Sequence, residues 1–142
     1  MSDEIGGSFI KNTPVLTISG ARAAMKAALA EAGRLGLNFS IAITDPAGEL
    51  LAFERMDGAP SVTIAVAQGK AVSAALTRLP TKIFQNMTDG GNASLLSVPR
   101  VVSLEGGVPI LVGDAVVGAI GASGASGEQD AQVAQAGADA VV

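Results

Sequence analysis

The run VPILVGDAVVGAIGA, residues 108–122, constrains the fold more than any other part of the sequence. Two apolar stretches flank Gly113-Asp114, a two-residue signal for a tight β-hairpin. Both stretches are apolar on both faces, so the hairpin is expected at the centre of a sheet, covered above and below. Gly118 and Gly121 carry no side chain and would let another element approach closely. Ser126 and Gln129 follow at capping-box spacing and predict a helix over about 127–141, with Ala131, Ala134, Ala138 and Val141 on one side. Glu128 and Asp130 already occupy its positive end, which disfavours a bound anion there.

A second hairpin is predicted upstream. Phe39, Ile41 and Ile43 alternate with Ser40, Ala42 and Thr44 as a half-buried strand. Asp45-Pro46-Ala47-Gly48 is a turn, and Leu51 and Phe53 share one face of the returning strand, with Arg55 at its end. One helix is predicted from an N-cap at Ser19 to a stop at Gly36, and another over 61–79 with Ser61 as its cap. LPTKIF reads as a short helical turn, 86–100 as an irregular loop, and RVVSL as a short edge strand. Residues 1–14 read as a flexible tail. The order predicts one α+β domain over 1–142: an antiparallel sheet of about five strands with helices packed on it.

Missing residue types limit the chemistry. The 142 residues include no His, no Cys and no Tyr. Ser-His-Asp and Cys-His triads are therefore excluded, as is an ordinary zinc site, and no metal site is expected. Acid–base work must fall to Asp, Glu, Lys, a terminus or water. The net charge of −4, without a basic block, argues against nucleic acid. No apolar run reaches the ~20 residues of a membrane helix, and the first residues lack the apolar core of a signal peptide. A cytoplasmic protein is expected. Charged residues make up 15% of the chain, where about a quarter is usual, so either surface is hidden in a homo-oligomer or the chain is simply Ala-rich.

Along the second helix, Thr63, Lys70, Ser73 and Thr77 fall on one polar stripe, and Gly69 offers room for a close neighbour. Lys70 either lines a pocket or snorkels to water. The glycines at 118, 121 and 124 have neither the spacing nor the strand–helix context of a dinucleotide loop, and no P-loop lysine is present. Gly106-Gly107 is the better pocket candidate, a flexible bend that would aim Glu105 and bare amides at a ligand.

The segments AITDPAGELLAFERMDGA, AQGKAVSAALTRLPT and LEGGVPILVGDAVVGAIGASGASGEQDAQVAQAG resemble the GlcG/HbpS family, which includes the C-terminal domain of the PduO adenosyltransferases. The resemblance runs from about Leu16 to the C-terminus. It implies a profilin-like sheet with packed helices and homo-oligomers from dimers to octamers. It also implies, in some members, haem binding. The haem-binding members use histidine toward the iron, and this chain has none. The pocket positions that carry over are Arg55 and Asp57, Lys70, and Glu105, Gly106, Gly107 and Pro109.

Two functions are expected to compete. In the first, the protein is a small-ligand-binding module for a tetrapyrrole or small anionic metabolite: Arg55, Lys70 and Thr77 would hold the ligand, while Gly106, Gly107 and Pro109 would shape its seat. In the second it is a cofactor-independent isomerase, tautomerase or deaminase for a small unsaturated acid in catabolism, with Glu105 or Asp57 shuttling a proton and Lys70 steadying an enolate. A third reading makes Arg55–Glu105 a structural ion pair. The first two need Arg55, Lys70 and Glu105 around one cavity.

Overall fold

The computed structural model describes residues 9–142. Of the expected tail, residues 1–8 lie outside the described residues. Residues 10–17 carry no helix or strand, and the Leu16 amide donates to the Val117 carbonyl.

The elements are α1 (Ile18–Leu35), β1 (Ser40–Thr44), β2 (Leu50–Arg55), α2 (Val62–Thr77), α3 (Lys82–Asp89), a 3-10 turn (Ala93–Ser97), β3 (Gly107–Val112), β4 (Ala115–Ser123) and α4 (Gly127–Asp139). The strands form one antiparallel sheet in the order β2-β1-β4-β3. α1 and α4 cover one face and α2 the other. The two faces differ in side-chain size. Phe39, Ile41, Ile43, Ile110 and Ile120 fill the first against the alanines of α1 and Val133 of α4. The second is Ala42 and Ala119 against Ala67, Ala71, Ala74 and Ala75. α2 therefore lies nearly backbone to backbone on the sheet: a Cβ on Gly121 would stand 2.3 Å from the Ala67 carbonyl oxygen.

The α+β class and the two hairpins are as expected, and several details differ. The sheet has four strands, not five, because RVVSL pairs with no strand. It runs as a strap over α2, where Val102 N donates to Ser73 Oγ at 2.7 Å and Val102 packs over Gly69. In the second hairpin β4 is central but β3 is an edge, with Leu111 50% and Val112 41% exposed. β1 is buried along its whole length, because β2 and β4 flank it and helices cover both faces. α1 starts earlier than expected, since Thr17 rather than Ser19 accepts from the Gly20 amide. α2 is not capped by Ser61, whose backbone is already helical; Thr63 N to Pro60 O and Ile64 N to Ser61 O close its first turn. The Ser126–Gln129 capping box is present in full at the start of α4.

Candidate functional site

The polar stripe of α2 faces inward, and each of its groups is bonded within the protein. Thr63 Oγ1 is 2.8 Å from Ser40 Oγ and donates to the Pro60 carbonyl. Ser73 is fully buried and receives the strap amide. Thr77 donates to the Ser73 carbonyl. Lys70 is 3% exposed, and its Nζ donates to the Asp130 carboxylate at 2.7 Å and to the Ala122 carbonyl at 3.1 Å. The other Asp130 oxygen accepts from the amides of Gly124 and Ala125. An ion pair this dry holds only when hydrogen bonds satisfy both partners, and here they do. Since α2 and α4 lie on opposite faces of the sheet, the pair fastens one helical layer to the other past the end of β4. Lys70 neither lines an open pocket nor snorkels to water.

Gly106 and Gly107 serve the same joint. Gly106 has φ +133, and a Cβ there would meet Lys70 Nζ at 2.7 Å and the Ala122 carbonyl oxygen at 2.9 Å. A Cβ on Gly107 would stand 2.3 Å from the Lys70 carbonyl oxygen. Thr81 completes the packing: Gly107 N donates to its Oγ1, and its own amide donates to the Gly107 carbonyl. The double glycine lets β3 begin against the backbone of α2.

The remaining candidates scatter. Glu105 sits over Gly127, with its amide bonded to Gln85 Oε1 and its carboxylate 3.9 Å from Lys82. Pro109 is half-buried in β3, opposite Ala119. Arg55 ends β2, exposed, with Nε donating to the Ala59 carbonyl, and Asp57 is exposed in the following turn. In the strand order β2 and β3 are opposite edges, about 14 Å apart at the usual strand spacing. One protomer therefore gathers Lys70, Gly106 and Gly107 and leaves Arg55 and Asp57 across the sheet. Arg55 and Glu105 do not form the ion pair of the third reading.

Sequence reasoning missed Asp130 as the partner of Lys70, although a signal was there. Lys70 belongs to the apolar stripe Ala67, Ala71, Ala74, and Asp130 begins the stripe Val133, Ala134, Gly137. Opposite charges at helical spacing on two buried faces call for each other.

Residues 16–139 match the family described as haem degrading protein HbpS-like. The chain belongs to this HbpS-like family. Protein GlcG of Escherichia coli K12 is 40% identical over 111 residues, 78% of this chain and 83% of its own. The crystal structure of a double mutant of Streptomyces reticuli HbpS superposes with a TM-score of 0.87 at 31% identity, covering 100% of this chain and 97% of that one. The crystal structure of a PduOC–haem complex gives 0.80 at 25% identity, covering 89% and 95%.

The haem ligands of the wider protein world do not fit this HbpS-like chain. His, Cys and Tyr are absent. Of the described methionines, Met25 is buried in the core and Met56 Sδ accepts from the Phe39 amide, while Met87 is 43% exposed. Lys70 is held by Asp130. Among the described residues Met87 is the one ordinary axial ligand left open, so haem on this chain would be held mainly by apolar contact and charge. Among the described residues no helix is long and apolar enough to cross a membrane, and no group of acidic side chains could hold a metal ion.

Proposed function

We propose that the protein is an oligomeric small-ligand-binding module of the GlcG/HbpS type, for a tetrapyrrole or a small anionic metabolite, with the ligand seated where subunits meet. The observation that carries this reading is the distribution of apolar surface. Leu79, Ile83, Met87, Leu96, Val98 and Leu104 are each more than a third exposed, all within one stretch of chain that includes α3. α3 buries no residue in the protomer, yet Ile83 and Met87 share one of its faces. Exposed apolar side chains on a helix that buries nothing in the protomer support a contact for a partner or a flat ligand. Lys82 and Arg78, both exposed, supply positive charge for ligand carboxylates along the same stretch. The haem complex among the related structures supports a tetrapyrrole as the first ligand to try.

The acid–base reading has less support. It needs Lys70 free to meet an enolate, and that ammonium is bonded to Asp130 and Ala122.

Hemin titration followed at the Soret band, with the oligomer measured by light scattering, tests the proposal. A saturable Soret change that Ile83→Asp weakens is expected, with a smaller particle in the same variant. Affinity weaker than about 0.1 mM, roughly −5.5 kcal/mol, ends the tetrapyrrole reading. A monodisperse monomer ends the oligomeric one.

A further inference from the structure

Two helices of this protein end in the same left-handed geometry with different residues. Gly36 closes α1 with φ 68. Arg78 closes α2 with φ 62 and ψ 25, its amide bonded to the Ala74 carbonyl. Glycine takes that conformation freely, and an arginine there is strained. A positive charge near a helix C-terminus is favourable, but that need could be met inside the last turn with ordinary helical backbone, as Arg34 does in α1. The arginine at 78 therefore has another use for its side chain.

Arg78 lines a cleft of about 190 Å³ with Lys11, Asn12, Thr13, Pro14 and Asp114. Lys11 and Arg78 are both exposed. Among the described residues neither cation takes part in an ion pair or a side-chain hydrogen bond, and neither does Asp114. Two uncommitted cations against one carboxylate leave a local charge of +1 on a chain whose net charge is −4. The guanidinium offers a planar fork for two oxygens, Lys11 a second charge and Thr13 a hydroxyl. The space equals about six waters' share of liquid volume, suited to a small ion and too small for a macrocycle. The cleft lies beside the β3–β4 turn, far along β4 from the Lys70–Asp130 joint, and shares no residue with it.

We infer that this cleft is a binding site for a small oxyanion, a carboxylate or phosphate, with Arg78 as its main ligand and Lys11 as its second. The site shares Arg78 with the proposed hemin seat and is otherwise lined by different residues. Arg78 borders both regions, so the distinguishing variants are Ile83→Asp for that seat and Lys11→Gln for this one.

The test is a titration of amide NMR signals with inorganic phosphate and, separately, malonate, against sodium chloride at matched ionic strength. Saturable shifts at Thr13, Arg78 and residues 114–116 are expected in the millimolar range. Phosphate alone, malonate alone or both producing them would support the site and tell the two chemistries apart. Arg78→Gln should weaken binding about tenfold or more, and Lys11→Gln by less. Arg78→Gly should abolish the shifts while raising the melting temperature in the absence of anion, since it relieves the left-handed strain. Shifts that never saturate, that chloride reproduces, or that survive in Arg78→Gln would overturn the inference. A lower melting temperature for Arg78→Gly would overturn the argument from strain.

Discussion

The two faces of the sheet solve the same problem with different materials. On the α1/α4 face, Phe39, Ile41, Ile43 and Ile120 are completely buried, and bulky side chains hold the helices off the strands. On the α2 face alanines and glycines dominate, with Phe53 and the Ser40–Thr63 contact beside them, and helix backbone meets strand backbone at Gly121. Bulky packing can lose a methyl group and relax. Backbone packing leaves no slack, and the helix that sits there supplies the cation of the buried ion pair, whose anion comes from α4 on the other face. The lesson is that tolerance to change should differ sharply between the faces.

The largest effect is expected at the tie between the layers. Asp130→Ala strips the buried Lys70 ammonium of its counter-charge and leaves two loop amides without their acceptor, a loss of about 3–5 kcal/mol. Urea unfolding measures it. The double variant Lys70→Met/Asp130→Ala should lose clearly less than the sum of the two single changes, because the orphaned charge is gone. Additive losses would mean that the pair does not couple the layers.

Next comes Gly121→Ala. The new methyl would stand 2.3 Å from the Ala67 carbonyl oxygen and 2.5 Å from the Ala71 amide nitrogen, both backbone atoms. α2 must lift, at a cost of about 1–3 kcal/mol or more. On the other face Ile43→Val, although fully buried, should cost only about 0.5–1.5 kcal/mol. Equal losses at the two positions would erase the contrast between the faces.

Much of this was legible in the sequence, and the illegible part has a common cause. Gly113-Asp114, Asp45-Pro46-Ala47-Gly48 and the Ser126 capping box act over a few residues, so local spacing reveals them. The close approach at Gly118 and Gly121 was also readable, because only a backbone neighbour makes use of a missing side chain inside an apolar strand. The fifth strand failed because RVVSL has strand-like composition, while its amide at Val102 finds Ser73, a partner 29 residues away. The separation of the candidate residues within one protomer was hidden for a similar reason. Arg55 and Glu105 each sit beside a glycine-containing bend, but sequence says nothing of strand order, and β2 and β3 became opposite edges. Lys70 was correctly singled out as unusual; its partner arrives from another helix, 60 residues on.

The smallest effect belongs to a charge pair on the tolerant side. Glu31 on α1 accepts from Arg34 one turn on and from Gln132 Nε2 of α4 at 3.1 Å, so it too links two helices, though at the surface. The Arg34 hydrogen bonds, then that of Gln132, hold the Glu31 carboxyl below its usual range. A depressed carboxyl adds stability that is present above its unfolded value and fades as pH falls through its folded value. In water such a pair contributes little, because solvent screens it and two side chains are immobilised. Arg34→Ala should therefore move the Glu31 titration midpoint upward in carbon-detected NMR, and Gln132→Ala should move it less. Neither variant should shift the melting temperature measurably at neutral pH. A clear loss of melting temperature in either would show that surface charge on this face carries weight comparable to the buried pair, and the contrast would then rest on packing alone.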